Sequence, residues 1–526
     1  MRHRRTLRGA VATLSVGLAA SMSGFGIAST AASAPSARPS ANANQCVTYA
    51  GVESSGSLNS LDPTIQGSSQ ISIEVDAAYN KLYYAEPPSW TPVAALATGA
   101  THNTSGTVWT VDLRHGVHFH DGHEMTSADV VYTFRHLLNP KYGSDEAGTL
   151  SMINPAKVVA TGRYSVQFTL NQPVGDFPQY LADKDAFIIA NNATEHQLKY
   201  EGDGTGPFVP VSFQPTAPTH KFVRFSGYWQ RGLPKAPCLV LSVIQNPTTQ
   251  AAAMESGQID VLQAADYSIV RALKADPKLV LDASGPGTSR TLPMWVDTTP
   301  FNNNDVREAL KLVIDRQQMV NTVLFGYGTV GDDNPVPPQS SSAWRHNVPA
   351  QNIPEAKRLL KQAGYGPSHP LTVTLYTADM LPGAVEIAEL YKQMAAEAGI
   401  VVNLAVGPSA TYWSNVWLKQ PFEMSGWNLR PPALALAAAY TGSNSSSNES
   451  HWHNAAYDKL LAEAIATTSQ SKATALFMKA EKMLSLDGGE ITPVFTEQVA
   501  VMQKSCGGYT PNAVLADVNW TEISCS

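Results

Sequence analysis

The chain has 526 residues, of which 43% are hydrophobic and 15% charged, and its formal net charge is -7 at pH 7. This length and composition predict a globular protein whose large buried core is divided over two or three domains. The 36 basic and 43 acidic side chains are spread along the chain without a basic stripe, so a nucleic acid partner is not expected.

The first residues have the pattern of a secretory signal peptide. The basic run RHRRTLR precedes an apolar stretch rich in Gly and Ala, and small residues follow. We expect residues 1–34 to be a signal, with cleavage somewhere in 31–43 and a linker over 35–45. A single spanning helix is the alternative, and the many Gly and Ser residues count against it. The mature protein is therefore expected in the periplasm, at the cell surface or secreted, and Cys46 lacks the small-residue context of a lipid anchor.

The most informative stretch is 109–140, which reads WTVDLRHGVHFHDGHEMTSADVVYTFRHLLNP. Apolar residues alternate with polar ones from Trp109 to Leu113, which predicts a half-buried strand. Val117 and Phe119 repeat the alternation and predict a second short strand. The dipeptides His-Gly and Asp-Gly supply the positive φ that tight turns require.

A helix is predicted directly after these turns. Thr126 and Asp129 have the spacing of a capping box, and an apolar stripe follows them. Asn139-Pro140 is expected to end the helix.

The run LRHGVHFHDGHEMTSADVVYTFRHLLNP closely resembles the signature of the extracytoplasmic solute-binding proteins of peptide and nickel ABC importers. Further family landmarks follow in the family's order, and the resemblance spans roughly residue 46 to the end. They are LDP at Leu61–Pro63, GTGPF at Gly204–Phe208, DVREALKLVIDRQQMV from Asp305 and PEAKRLLKQAGY from Pro354.

This resemblance implies a two-lobed periplasmic-binding-protein fold, class II-like and of cluster C, with an extra small domain inserted in the first lobe. We expect lobe I to comprise 46–75, 205–296 and 500–526. The inserted small domain is expected over 76–204 and the ligand-binding lobe II over 297–499.

Within lobe II, apolar positions from Asp305 to Phe325 predict one long helix. Leu371–Tyr376, a helix around 384–397 and Val401–Val406 predict a β-α-β unit, whose two strands should be parallel.

Four cysteines in an exported chain predict two disulfides, with three possible pairings. In the family, the strands that begin at Cys46 and Cys238 lie in one central sheet, and Cys506 and Cys525 close a short terminal loop. The resemblance therefore favours these two pairs, and free buried thiols are the alternative.

Motifs of common enzyme classes are missing from the sequence. There is no C-x-x-C, H-E-x-x-H or G-x-S-x-G pattern, and G-x-G-x-x-G from Gly326 lacks the strand before it and the helix after it that a dinucleotide site needs. We expect no enzymatic activity and no cofactor.

Two groups of histidines could in principle hold a metal ion. One group lies around the predicted turns, where a structural role is the simpler interpretation, and comprises His115, His118, His120, His123 and Glu124. His451 and His453 are the better placed alternative, because they follow a Ser- and Asn-rich loop that is expected near the lobe interface, although a solvated loop is the simpler interpretation.

The main candidate for ligand binding is the segment 422–440. In relatives, a glycine and tryptophan reach the cleft here and the following residues meet the ligand, which assigns Trp427, Asn428 and Arg430 to the site. Peptide importers typically have an aspartate three residues after this tryptophan, to pair with an α-ammonium group. Arg430 stands there in this chain and favours a carboxylate or similar oxyanion instead. An internal ion pair of Arg430 is the alternative.

Aromatic side chains near the expected lobe interface complete the predicted pocket. They can sandwich an organic ligand and exclude water, although each one taken singly is more often a core residue. They are Trp295, Tyr412, Trp413 and Tyr440, together with Trp427. Gly204 and Thr205 belong to a glycine-rich loop that lies near the ligand in relatives.

The sequence thus predicts the substrate-binding component of an ABC importer, a monomer that closes two lobes around a peptide-like or small organic ligand and then docks on membrane permease subunits. Two alternatives stay open. One is a nickel-chelate, metallophore or haem binder on the same fold, and the other is a secreted hydrolase that reuses the fold.

Overall fold

The computed structural model describes most of the chain after residue 44. The described residues are 45–51, 60–65, 73–87, 89–144, 146–183, 185–215, 217–438, 445, 447–513 and 518–526. The expected signal peptide and nearly all of the linker therefore lie outside the described residues.

The strands and helices of the described ranges are numbered in chain order. The strands are β1 Val47–Gly51, β2 Tyr83–Tyr84, β3 Val93–Ala94, β4 Ala97–His102, β5 Val108–Leu113, β6 Ile153–Gly162, β7 Ser165–Leu170, β8 Phe208–Pro210, β9 Thr219–Arg224, β10 Cys238–Val243, β11 Val261–Leu262, β12 Leu279–Pro293, β13 Gly328–Val330, β14 Thr372–Thr377, β15 Val401–Val406, β16 Glu490–Gln503, β17 Cys506–Gly507 and β18 Ser524–Cys525. The helices are α1 Ile73–Ala78, α2 Ser127–Leu137, α3 Glu146–Thr149, α4 Phe177–Leu181, α5 Glu195–Tyr200, α6 Pro247–Glu255, α7 Tyr267–Ala275, α8 Asn304–Leu312, α9 Arg316–Thr322, α10 Ile353–Gln362, α11 Ala384–Glu397, α12 Ser409–Asn415, α13 Pro432–Ala438, α14 Ala455–Ala466 and α15 Gln470–Asp487.

The largest sheet has the strand order β12-β16-β11-β1-β10-β9-β8, and β13 also pairs with β16. Its centre is the parallel pair β1 and β10, in register from Val47 with Leu239 to Gly51 with Val243. The long strands β12 and β16 are antiparallel, and their pairing runs from Leu279 with Gln503 to Pro293 with Glu490. Only the first part of this pair lies level with β1, so both strands extend far beyond the carboxyl end of β1.

A second sheet, of order β4-β5-β7-β6, packs against α2. In β5 the side chains of Trp109, Val111 and Leu113 are buried and alternate with more exposed ones, which confirms the predicted strand. The capping box of Thr126 and Asp129 at the start of α2 is also confirmed.

The second short strand predicted at Val117 and Phe119 is present only as an isolated antiparallel bridge between His118 and Glu124. The side chains of Val117 and Phe119 are both fully buried. The bridge is formed by a hydrogen bond from the Met125 amide to the Val117 carbonyl and by one from the Phe119 amide to the His123 carbonyl.

The predicted β-α-β unit is confirmed as β14, α11 and β15, and its strands are parallel from Thr372 with Val401 to Thr377 with Val406. The single long helix predicted after residue 305 is wrong, because α8 ends before Asp315 and α9 begins after it. The Asp315 carboxylate accepts a hydrogen bond of 2.9 Å from the Gln318 amide and so caps the second helix.

The disulfides Cys46–Cys238 and Cys506–Cys525 are present, as expected from the resemblance. The first joins the starts of β1 and β10, and the second joins β17 to β18. Within the described ranges, every helix is too short or too polar to cross a lipid bilayer.

Candidate functional site

The segment 422–427 lies along strand β12. The backbones of Thr291 and Ser425 exchange two hydrogen bonds, of 2.9 and 2.8 Å, and the Ser289 amide donates to the Trp427 carbonyl at 2.8 Å. The Ser289 hydroxyl also accepts a bond from the Trp427 amide at 3.2 Å. These bonds fix the position of Trp427 beside one of the two long strands.

The carboxylate of Glu449 lies beneath this tryptophan and is shielded from water. It accepts hydrogen bonds from the Ser425 hydroxyl and from the indole N–H groups of Trp417 and Trp427, the last at 2.9 Å. Burial raises the pKa of Glu449, and the three donors oppose that shift because they favour the charged form. One buried carboxylate therefore orients two indole rings.

These rings continue toward the surface through Trp413. The ring centroid of Trp417 lies 6.4 Å from that of Trp427 and 6.0 Å from that of Trp413, and Trp413 is 41% exposed. Tyr412 does not share this position. It is 1% exposed and its hydroxyl donates to the Met424 carbonyl at 2.7 Å, so it packs in the core rather than lining a pocket.

Arg430 follows Trp427 by three residues and its side chain is half-buried. Leu429 and Leu434 on either side of it are buried in the core of the β4-β5-β7-β6 sheet, which fixes the backbone at this point. No hydrogen-bond or ion-pair partner of the Arg430 guanidinium exists among the residues that the structure describes. The alternative of an internal ion pair therefore finds no support there.

A second arginine, Arg290 on β12, lies next to the same segment. A Cβ placed on Gly426 would be 3.6 Å from Arg290 Nη1 and 2.7 Å from both Leu381 Cδ1 and the Ser289 carbonyl oxygen, so only glycine fits this approach. Arg290 is 2% exposed, and its guanidinium donates to the Pro382 and Ser289 carbonyls.

Within the described ranges, Arg290 has no carboxylate partner. Burial lowers its pKa to about 10, and the largest opposing influence is the phenol of Tyr267. The group remains charged at neutral pH, and a buried cation without an anion favours any ligand that brings one.

Glu423, two residues before Ser425, is a second buried acid. One carboxylate oxygen accepts the Leu418 amide at 3.0 Å, and the other has no hydrogen-bond partner among the described residues. Burial, with a smaller contribution from Glu449, raises the pKa of Glu423 to about 8.

Trp295 and His451 form a stacked pair, with ring centroids 4.3 Å apart. His451 Nδ1 lies 3.0 Å from a carboxylate oxygen of Asp297, while His453 is exposed. The two histidines therefore do not converge with other ligand groups in the described part of the chain. The one such group there is Asp260 with Cys506 and Cys525, and those cysteines are bonded to each other.

The remaining predicted site residues have other positions. Asn428 Oδ1 lies 3.4 Å from the hydroxyl of Thr288 on β12, so Asn428 is beside Trp427. Tyr440 lies outside the described residues. Thr205 is fully buried, and a Cβ on Gly204 would lie 2.2 Å from the Ala78 carbonyl oxygen, so this loop is shaped by packing against α1.

The histidines of the turn region have structural partners. The His120 ring lies 3.1 Å from the carbonyl oxygens of both Gly202 and Gly206. His123 stacks on Phe119, with ring centroids 4.4 Å apart, and pairs with Asp121. This supports the structural interpretation over a metal site.

Sequence reasoning missed Glu449, Trp417 and Arg290. Glu449 could have been singled out from the sequence, because it is the single acidic residue between Glu423 and Asp458. Arg290 carries no comparable signal, since its position depends on the register of β12.

Comparison with known proteins gives consistent matches. The model of the family described as bacterial extracellular solute-binding proteins, family 5 (middle), matches residues 91–450. The glutathione-binding protein GsiB of Salmonella paratyphi A is 27% identical over 428 residues, which cover 79% of this chain and 82% of that protein.

Two solved structures show the same fold. DppA from Helicobacter pylori, in complex with the peptide STSA, is 22% identical with a TM-score of 0.75 and covers 91% of this chain and 98% of its own. NikZ from Campylobacter jejuni, in complex with Ni(L-His), is 19% identical with a TM-score of 0.77 and covers 91% of this chain and 99% of its own.

The predicted fold class, the two-lobed α/β fold of periplasmic binding proteins, is thereby confirmed. The family model alone spans more than half of the chain. The chain belongs to the bacterial extracellular solute-binding proteins, family 5.

Proposed function

We propose that this protein is the extracytoplasmic substrate-binding component of an ABC importer and that its ligand is a peptide-like or small organic compound with a carboxylate or similar oxyanion. The observation that carries the ligand class is Arg430, a half-buried guanidinium without a partner among the described residues, three residues after the fixed Trp427. A guanidinium grips a carboxylate through two parallel hydrogen bonds.

Electrostatics around Gly426 support the same ligand class. Arg290 lies beside Gly426, and Arg430 follows Gly426 by four residues along the chain. Backbone carbonyl oxygens accept the hydrogen bonds of the Arg290 guanidinium. Burial raises the pKa of the neighbouring acids Glu423 and Glu449. The positive charges of the two arginines therefore favour an acidic ligand.

In this proposal, the ligand is enclosed between lobe I (46–75, 205–296 and 500–526, carrying the inserted domain 76–204) and lobe II (297–499). The lobes open and close about the long strands β12 and β16, and the ligand stabilises the closed form because it touches both lobes. A shift from mostly open to mostly closed requires about 5 kcal/mol of differential binding. The closed complex then docks on permease subunits, and no bond in the ligand changes.

The ligands named for relatives support this range of compounds. GsiB is a glutathione-binding protein, and the DppA structure holds a peptide. Both ligand types carry carboxylates, as Arg430 requires. A nickel chelate, as in NikZ, is the less favoured class because His451 is already paired with Trp295 and Asp297.

Native mass spectrometry of protein purified from its own host tests the proposal. The same protein after denaturation and refolding is the reference, because bound small molecules are lost on unfolding. We expect the purified protein to carry an acidic organic compound that the refolded protein lacks. Loss of a metal ion alone, or of a purely cationic compound, would contradict the proposed ligand class.

A further inference from the structure

A small cavity of about 80 Å³ lies between helix α4 and helices α13 to α15. One wall is formed by Trp90 together with Asp176 and Tyr180 at α4, and the opposite wall includes Ala433 and Phe477. The volume exceeds what a single water needs and is far below the roughly 300–1,000 Å³ of drug-sized sites. The cavity therefore suits a ligand of only a few heavy atoms.

The two walls are held together by direct contacts of the chain. The Gly175 amide, just before α4, donates to the Ile465 carbonyl at 2.7 Å. A Cβ on Gly175 would lie 1.9 Å from the Thr467 carbonyl oxygen, so only glycine allows this approach. Leu434 of α13 is buried in the same core cluster as Tyr180. The cavity is thus enclosed by a packed interface, and a ligand in it contacts both walls.

Asp176 is the single charged side chain among the described residues that line the cavity, and Lys, Arg and His are missing from these walls. Its carboxylate has no ion-pair partner within the described ranges. Burial raises the pKa of Asp176, and the Gln179 amide that faces the carboxylate opposes this shift. A half-buried carboxylate without a counter-ion favours a ligand that brings a positive charge.

Basic residues near the walls are engaged elsewhere. Lys472 on α15 pairs with Glu463 at 3.2 Å. Arg345, close in sequence to the wall residue Ser342, pairs with Asp332, and its Nε lies 2.9 Å from that carboxylate. These ion pairs leave the carboxylate of the cavity without a cation from the chain.

Neutral polar groups around the carboxylate suit the N–H groups of an ammonium. The Tyr180 hydroxyl has no hydrogen-bond partner in the part of the chain that the structure describes. Burial raises the pKa of Tyr180 most and the charge of Asp176 raises it further, so this hydroxyl lies near that carboxylate. Gln470 and Thr474 on α15 line the opposite wall. An ammonium has three donors, which the carboxylate, the phenol and the α15 side chains can accept together.

Apolar side chains line the remaining surface. Trp90, Ala433 and Phe477 are at most 9% exposed, and no cation of the described chain lies over the Trp90 ring. A short alkyl group is shielded from water there, and an ammonium beside an aromatic ring gains a further attraction.

We propose that this space, the α4 cavity, binds a small primary amine in its ammonium form, with the ammonium on Asp176 and a short alkyl group against Trp90 and Phe477. The site is separate from that of the acidic ligand, because Arg430 does not line the cavity. A bound amine contacts both α4 and α15, so it stabilises the packing of the two walls.

Ligand-observed nuclear magnetic resonance titrations of the mature protein at constant ionic strength test the proposal with three probes. Ethylammonium is the amine, ethanol is its neutral analogue, and tetraethylammonium carries the same charge but has no N–H group and is too large for the cavity. We expect saturable ethylammonium binding with a dissociation constant of roughly millimolar order, the limit for three heavy atoms. Ethanol and tetraethylammonium should bind at least about tenfold more weakly.

Two substitutions locate the amine. Asp176→Asn removes the charge at nearly constant shape and should weaken ethylammonium at least about tenfold. Thr474→Phe fills the cavity from a half-buried position of α15 and should abolish saturable binding. The matched control Asp282→Asn, at an exposed aspartate that also faces a backbone amide, and Arg430→Ala should bind ethylammonium like the parent protein. Thermal unfolding shows that each variant is folded.

Binding of ethanol or tetraethylammonium as tight as that of ethylammonium would overturn the proposal. Unchanged ethylammonium affinity in Asp176→Asn, or no saturable binding at concentrations well above millimolar, would overturn it too. Loss of ethylammonium binding in Arg430→Ala would place the amine at the candidate site and equally contradict the α4 cavity. The probes carry no carboxylate, so these results do not depend on the outcome for the acidic ligand.

Discussion

The indole N–H of Trp427 donates a hydrogen bond of 2.9 Å to a carboxylate oxygen of Glu449 that is shielded from water. Trp417 and Ser425 donate to the same carboxylate. The orientation of the Trp427 ring therefore depends on a single acid, 22 residues away along the chain.

Replacement of Glu449 by alanine tests this dependence. We expect Glu449→Ala to lower the free energy of unfolding by about 2–3 kcal/mol, because partly buried indole donors lose their acceptor, and to change the near-ultraviolet circular dichroism of the tryptophans. Glu397→Ala, at an exposed position, is the control. An unchanged tryptophan spectrum in Glu449→Ala would show that the carboxylate does not orient the rings.

Glu423 makes stability depend on pH. Its pKa is about 8 in the folded protein against an ordinary 4.5, so between these values the folded protein binds more protons at this site than the unfolded chain. Stability therefore decreases as the pH rises from 4.5 to 8. Glu423→Gln should match the parent protein near pH 4.5 and be more stable by roughly 2–4 kcal/mol near pH 8.

Urea unfolding at both pH values measures this difference. Acids that do not interact with Glu423 are present in both proteins, so their contributions cancel in the comparison. A difference that is constant with pH would contradict the assignment to Glu423.

The two disulfides close loops of very different length, with sequence separations of 192 and 19 residues. In the chain-entropy model, a longer loop gives more stabilisation, and the difference between these two is about 2 kcal/mol. The double variant Cys46→Ser/Cys238→Ser should therefore be less stable than Cys506→Ser/Cys525→Ser by about that amount. Chemical denaturation measures the free energy of unfolding of both variants. A lower stability of Cys506→Ser/Cys525→Ser would contradict the prediction.

Gly175 joins the β4-β5-β7-β6 sheet region to helix α14. Its amide donates to the Ile465 carbonyl at 2.7 Å, and a Cβ would lie 1.9 Å from the Thr467 carbonyl oxygen. Gly175→Val should break this contact and increase the radius of gyration in small-angle X-ray scattering. Gly99→Val, where a Cβ meets nothing within 4 Å, is the control and should scatter like the parent protein. The same scattering from both variants would mean that the contact does not hold the two regions together.

Local patterns predicted the local structure well. Alternation from Trp109 to Leu113 and the capping pair of Thr126 and Asp129 depend on neighbours in sequence, and both are confirmed. The single helix predicted after residue 305 failed because its apolar stripe continues past Asp315, whose side chain caps a new helix. A periodic apolar pattern does not distinguish one helix from two that share a buried face.

The candidate site was predicted only in part, for reasons of distance along the chain. Trp427 and Arg430 belong to one motif and could be named from the sequence. Arg290 comes beside Gly426 through the pairing of segment 422–427 with β12, and Glu449 comes beside Trp427 through side-chain hydrogen bonds. Register between distant segments is not encoded in either one alone. Tyr412 was assigned to the pocket because aromatic residues suit both pockets and cores, and it lies in the core.

The most direct test of the acidic-ligand proposal compares the compound retained by the parent protein, by Arg430→Ala and by Arg358→Ala, all purified from the native host and analysed by native mass spectrometry. Arg358 is an exposed arginine paired with Glu355 on α10 and serves as the matched control. We predict that the parent protein and Arg358→Ala carry the same acidic compound and that Arg430→Ala has lost it. Full retention by Arg430→Ala would contradict the role of this guanidinium as the anchor of the ligand.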